Sequence, residues 1–327
     1  MKNNKWNIHL IMIGIILAVV LLAGIRLFIW NKGVESDYNL EETTKNTDFD
    51  AEPLDVSFIL TPDKLEGHPD DGEDIILFLG NNAITDGRDF EENGRIPELI
   101  EAQTTAKTLN GGVPESLIAC DSKVYIDTCP WDAFRLYHVS NALCTGDFSL
   151  QERALASDNL TEDQKALYSE CLKRLLTFDF KTVDTLVIFY DARDMLNYRP
   201  VMEDTGHDIA TVCGSLASAI ELFQEKYPYI RIVIMSPWHT YAVNESGFYE
   251  SLNYIDYGHG TLPDYLYSIG DVAMMHDVSL IDNYYGTVTE LTEMEYLEDN
   301  IKLNNKGREF MANRLINFLK LKPADEP

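Results

Sequence analysis

Five short runs of β-branched and aromatic residues, each nearly continuous in apolarity, set the tightest limit on how this chain folds. They are IILFLG (75–80), KVYID (123–127), TLVIFY (185–190), IRIVIM (230–235) and VSLID (278–282). A strand with one wet face alternates polar and apolar residues, so unbroken runs predict strands covered on both faces. Helical patterns fall between them. Residues Pro97 to Leu109 begin with proline and end before Asn110-Gly111-Gly112, and Thr161 to Leu176 opens on Thr161-x-x-Gln164, a capping box. Ile209 to Lys226, Leu262 to His276 and Asn305 to Leu319 follow. Strand and helix in this repeat predict an α/β domain over 75–321, a three-layer αβα stack around a parallel five-stranded sheet. In such sheets the site lies beyond the carboxyl ends of the strands, so the loops after those ends carry the functional reading.

The amino-terminal region predicts a different environment. Leu10 to Ile25 reads LIMIGIILAVVLLAGI without a charge, between Trp6 and Trp30. At about 1.5 Å per residue, that interval crosses about 30 Å of hydrocarbon with some tilt. The exit, RLFIWNKG, is a poor cleavage site, so an uncleaved transmembrane helix is favoured over a signal peptide, with residues 7–30 in the bilayer. Lys2 and Lys5 precede it, while Glu35, Asp37, Glu41 and Glu42 follow. This bias predicts a single-pass cell-membrane protein with residues 1–30 as cytoplasmic end and anchor and the remainder outside. Residues 31–74 carry 14 acidic and 3 basic side chains and read as a self-repelling acidic linker, strand-like only at Leu54 to Leu60. Residues 322–327 read as a frayed tail.

Across all 327 residues, 54 acidic side chains face 26 basic ones, a net charge of -28. Such a surface repels phosphate backbones, which argues against nucleic acid as a partner. No CxxC, HExxH, GxGxxG, P-loop or GxSxG motif occurs, so neither a metal nor a cofactor is expected. Five cysteines are too few for a disulfide scaffold, although Cys120 and Cys129 flank the 123–127 run and could pair. Cys171 and Cys213 fall on helical stretches and read as buried thiols.

Three loops then carry a resemblance. Gly80-Asn81-Asn82-Ala83-Ile84-Thr85-Asp86-Gly87 follows the first run, Tyr190-Asp191-Ala192-Arg193-Asp194 the third, and Asp299-Asn300-Ile301-Lys302-Leu303-Asn304-Asn305-Lys306-Gly307 precedes the last helix. In order, spacing and strand context they resemble the SGNH (GDSL-type) hydrolases, over most of 75–319. That family reads G-D-S-x-T-x-G, Y-G-x-N-D and D-x-x-H-x-N-x-x-G at these places. The resemblance implies a flavodoxin-like sheet and serine esterase, lipase or carbohydrate O-acyl esterase chemistry. It also implies that the nucleophile position falls on Asn82, the base on Lys302, the asparagine oxyanion donor on Arg193, and the orienting carboxylate on Asp299. A second-block glycine, whose backbone N–H faces the oxyanion, should follow strand two. With 123–127 as strand two, that loop reads Thr128-Cys129-Pro130-Trp131 and holds no glycine.

A carboxamide has no ionisable proton for a base to remove, and a lysine is protonated at neutral pH unless desolvated. Loss of a nucleophile or base removes about 10⁶-fold of triad acceleration, and an absent oxyanion donor costs about 3 kcal/mol more. The family mechanism is therefore not expected here. Two readings of the site remain open. Asn82, Arg193 and Lys302, with Asp194, His239 and Trp238 nearby, could bind an anionic ligand or a cell-surface glycan. Alternatively Asp191, Asp194 and Asp299 neutralise the two cations and fill the old site. An O-acyl esterase working through His239, at the end of strand four, is the competing catalytic reading. Tyr241, Phe248, Tyr249, Tyr254 and Tyr257 fall in loops, where they suit sugar stacking and core-edge packing equally.

Overall fold

The computed structural model describes residues 53–68, 71–87, 94–202 and 206–324. The anchor expected over residues 7–30 lies outside them; among the described residues no helix is long and apolar enough to cross a membrane.

The strands are β1 (Ile75–Gly80), β2 (Lys107–Asn110), β3 (Thr185–Phe189), β4 (Arg231–Met235), β5 (Tyr241–Val243), β6 (Tyr249–Ser251) and β7 (Ser279–Ile281). Five form one sheet in the order β2-β1-β3-β4-β7, every neighbouring pair parallel, while β5 and β6 make a separate antiparallel hairpin. The main helices are α1 (Ile96–Gln103), α2 (Leu136–Thr145), α3 (Ser149–Leu155), α4 (Glu162–Leu175), α5 (Val212–Lys226), α6 (Leu262–Met275) and α7 (Asn305–Leu319).

Alternation along the strands divides the core into two layers. Leu77, Leu79, Leu186, Ile188, Ile232 and Ile234 meet α2, α5 and α6. Ile76, Phe78, Val187, Phe189, Val233 and Met235 meet α1 and α7 through Ile100, Met311 and Leu315. This is the expected αβα sandwich. A third cluster, in which Phe134 stacks on Tyr168 at 4.3 Å, closes the end near β2.

One strand was expected in the wrong place. Residues 123–127 are not a strand; Val124 and Ile126 are 74% and 43% exposed. Strand two is β2, inside the stretch expected to be the end of a helix over 97–109. The helix stops at Gln103 because Thr104 turns extended, its hydroxyl donating back to Ile100 O at 2.8 Å. The following KTLN then pairs with Ile75–Phe78 at the sheet edge, where continuous apolarity is not required.

Part of the expected linker packs on the domain. Val56 bridges Leu280 in antiparallel fashion, Leu54 N donates to Asp282, and Arg314 meets Asp55 at 2.7 Å. At the other end, Thr105 N donates to Lys322 O and Ala324 N to Gln103 O, so residues 322–324 are held in place. All five cysteines are free, with Cys120, Cys144, Cys171 and Cys213 buried, so the Cys120–Cys129 pairing is absent.

Because Phe78 is fully buried between the sheet and α1–α7, Phe78→Ala should lower unfolding free energy by about 3–5 kcal/mol, read from urea denaturation.

Candidate functional site

The site is built outward from the end of β1. Gly80 lies against Phe189 of β3 so closely that a Cβ would sit 2.0 Å from the Phe189 carbonyl oxygen. No side chain fits there, and the chain leaves the sheet at a fixed point. Asn81 then caps the single turn Asn82–Thr85, its Oδ1 accepting from Ala83 N at 3.1 Å. The same oxygen accepts from Asp191 N at 3.1 Å, and Asn81 Nδ2 donates to Asp191 Oδ1 at 2.9 Å and to Ser116 O at 3.1 Å. One buried carboxamide thus ties together the loops after β1, β2 and β3.

Asn82, to which the resemblance assigns the nucleophile position, has both ends of its carboxamide occupied. Oδ1 accepts the backbone N–H of Glu115 at 2.7 Å; Nδ2 donates to Asp86 Oδ1 at 2.9 Å. Glu115 holds φ at 61°, a left-handed conformation that favours glycine. Glu115 lies in the loop after β2, the true strand two, and not in Thr128–Trp131. The sequence signal was Asn110-Gly111-Gly112, which closes β2 and opens that loop. In place of an oxyanion, the Glu115 N–H meets the side-chain oxygen of Asn82.

Arg193 covers the other side. Its guanidinium lies 3.1 Å from Glu115 Oε1 and 3.6 Å from Asp191 Oδ2, so both carboxylates neutralise it. Lys302 pairs with Glu298 at 3.4 Å, and its backbone N–H donates to Asp299 Oδ1 at 2.7 Å. Asp299 also accepts from Ile301 N, and so organises its own turn. The expected pairing of the Asp299 carboxylate with the Lys302 ammonium is replaced by these contacts. Asp194 is buried and accepts from Ile118 N and Ala119 N at 2.9 and 2.8 Å, holding the 116–119 segment. Trp238 is 1% exposed; it packs edge-on against Phe189 and donates Nε1–H to Ile301 O. Asp194 and Trp238 are thus framework beneath the rim. The space bounded by Asn82, Asp86, Asp191, Trp238 and Lys302 is too narrow to admit a water-sized sphere.

The electrostatics agree with a closed centre. Burial pushes the Asp191 carboxyl up to about 6, against the opposing effects of Arg193 and Asn81. Burial likewise raises Asp86, opposed by the Asn82 hydrogen bond, Arg193 and Lys302. His239 is wholly buried beside Tyr241 and Tyr284, with Nε2 3.5 Å from Glu293 Oε2. Among the described residues, no histidine ring is hydrogen-bonded to a serine or threonine hydroxyl or a cysteine thiol. Nor does any group of three histidine, cysteine or acidic side chains form a metal-type cluster there.

The 2-1-3-4-5 strand order, with motif loops on its carboxyl rim, has a counterpart among solved structures. One crystal structure superposes with a TM-score of 0.51 at 17% identity, covering 76% of this chain and 96% of its own. Superposition at this level shows a shared fold. Two further structures match at lower scores. A protein described as a GDSL-like lipase, from Bacteroides uniformis, has 10% identity and a TM-score of 0.44, over 76% of this chain and 97% of its own. One described as an SGNH hydrolase, from Slackia heliotrinireducens, has 14% and 0.37, over 76% and 99%. No family model and no curated protein matches the sequence. Identities this low speak to the fold alone, and the chemistry must be read from the side chains above.

Two outcomes follow for this rim. Asn82→Asp places a second carboxylate beside Asp86, so it should cost about 1–3 kcal/mol at neutral pH and less near pH 4, measured as urea midpoints against pH. For Asp191, burial lets the folded carboxyl hold its proton up to about 6, against an ordinary value of 3.8. The folded state therefore binds more protons over that interval, and stability falls as pH rises through it. Asp191→Asn should flatten that part of the profile.

Proposed function

We propose that this chain is a non-catalytic SGNH hydrolase-like protein, anchored in the membrane by residues 7–30. Its domain lies outside the cytoplasm, where it binds or scaffolds at the cell surface with envelope polysaccharide as the ligand class. The anchor reading rests on the uncharged run from Leu10 to Ile25 and the charge bias around it. The polysaccharide reading rests on the SGNH resemblance and the location together.

One observation carries the non-catalytic reading: the carboxamide of Asn82 is held between the Glu115 N–H and the Asp86 carboxylate. A substrate carbonyl would need the same N–H, and nothing at position 82 can attack it. Lys302 is drawn to Glu298 instead of standing ready to take a proton. A relocated base at His239 finds Glu293 and two tyrosine rings around it, with no serine hydroxyl to activate.

Treatment of the purified protein with a fluorophosphonate probe, alongside a polysaccharide-binding assay, tests this. Absence of covalent labelling together with saturable glycan binding is the expected outcome; stoichiometric labelling would overturn it.

A reversion series adds a quantitative check. Asn82→Ser with Lys302→His should give no measurable ester hydrolysis, because Arg193 still replaces an oxyanion donor. Adding Arg193→Asn, with the Glu115 N–H already present, should bring p-nitrophenyl acetate turnover into the measurable range.

A further inference from the structure

Between Arg231 and Lys302 the chain has no lysine or arginine over 70 positions, which nevertheless carry 12 aspartates and glutamates. Much of this segment folds over the rim. The β5–β6 hairpin sits directly against the Asp299–Lys302 turn, Tyr241 N donating to Asn300 O at 2.9 Å and Asn300 Nδ2 to Tyr241 O at 2.7 Å.

Its outer side is both aromatic and acidic. Tyr241 and Tyr249 stack with centroids 5.8 Å apart, and Tyr249 and Tyr254 are 53% and 78% exposed. The Tyr241 hydroxyl donates to Glu293, and that of Tyr254 to Glu290 at 3.3 Å. Glu295 and Glu298 are paired with Lys306 and Lys302, whereas no lysine or arginine meets Glu290 or Glu293 among the described residues. Behind them lies His239, fully buried, its Nε2 3.5 Å from Glu293. Asn253 is its other polar neighbour, but neither ring nitrogen completes a hydrogen bond of good geometry. Burial lowers the affinity of His239 for a proton more than Glu293 raises it, so the imidazole does not supply the missing positive charge.

Exposed aromatic faces beside unneutralised carboxylates select a ligand that is flat or apolar on one side and donates charged hydrogens on the other. We infer that the surface of Tyr241, Tyr249, Tyr254, Glu290 and Glu293 binds an amine-bearing glycan, its sugar rings on the tyrosines and its ammonium groups on the glutamates. This rests on the glycan-binding reading above and narrows it to a cationic, free-amine polymer. It also moves the binding surface from the filled pocket at Asn82 to the hairpin beside it.

The test titrates the intact protein with a glucosamine oligomer and with its N-acetylated counterpart, by calorimetry below pH 6.5, where the free amines are protonated. The free-amine oligomer should bind saturably, about tenfold tighter than the acetylated one, because acetylation removes the ammonium charge. Tyr249→Ala and Glu290→Gln, both at exposed positions, should each weaken it about fivefold or more, and Glu293→Gln likewise. Glu162→Gln, on the first turn of α4, serves as control and should leave binding unchanged. Equal affinity for both oligomers would overturn the charge inference while leaving glycan binding intact. Equal weakening by Glu162→Gln would mean diffuse attraction to an acidic protein and would also overturn it. Binding of neither oligomer would remove this inference, while binding of an uncharged or anionic envelope polymer would still uphold the broader reading.

Discussion

The contact between Gly80 and the Phe189 carbonyl is the constraint on which the rim depends. Two parallel strands approach closely enough there that only glycine is tolerated, and both chains leave the sheet at neighbouring points. Asn81, one residue beyond Gly80, and Asp191, two beyond Phe189, are thereby brought together. Their two reciprocal hydrogen bonds fix the loops after β1 and β3, and the Asn81 bond to Ser116 O draws in the loop after β2. Glu115, one residue earlier, is thereby delivered to Asn82. Backbone packing decides the geometry of the rim; the side chains at its few open positions decide what it does.

Those side chains form a self-satisfied network. A catalytic rim keeps donors unpaired and aimed at charge that develops only during reaction, a state that costs stability until substrate arrives. Here the Glu115 N–H, both ends of the Asn82 carboxamide, and Arg193 all have protein partners. The carboxylates Asp86 and Asp191, buried enough to be raised, are offset by neutral amide donors and by the cation between them. Each of these groups is satisfied within the protein, and Glu115 is held in a left-handed conformation as part of that network.

The sheet was legible where physics is local. β1, β3, β4 and β7 are buried on both faces, and their apolar runs say so. β2 was not legible, because an edge strand with an exposed lysine and two polar residues has no continuous apolarity, and 123–127 had it by chance while lying in a surface loop. That single misplacement hid the second-block loop, and with it Glu115. Asn82, Arg193 and Lys302 did come to the same rim as the spacing implied. Two of their partners are local, Asp86 at four residues from Asn82 and Asp191 at two from Arg193, but Glu115 reaches Asn82 and Arg193 only through strand pairing. Trp238 and Asp194 showed the opposite failure, since residue type and loop position gave no sign that both are buried.

Charge distribution supplies the last step. A net charge of -28 spread evenly would only repel anions and keep the protein soluble. Local balance differs sharply between the two halves of the rim. Around Asn82 and Arg193, each cation has acids within pairing distance and the space between them is filled. Across the hairpin, glutamates hydrogen-bond to tyrosine hydroxyls, which orient a carboxylate without neutralising it. An unneutralised carboxylate on an exposed aromatic surface retains its attraction for cations, whereas one already paired with arginine has lost it. Any ligand that this domain selects by charge should therefore meet the hairpin before it meets the closed centre. For that reason, substitution at position 82 alone leaves the unneutralised carboxylates of the hairpin side untouched.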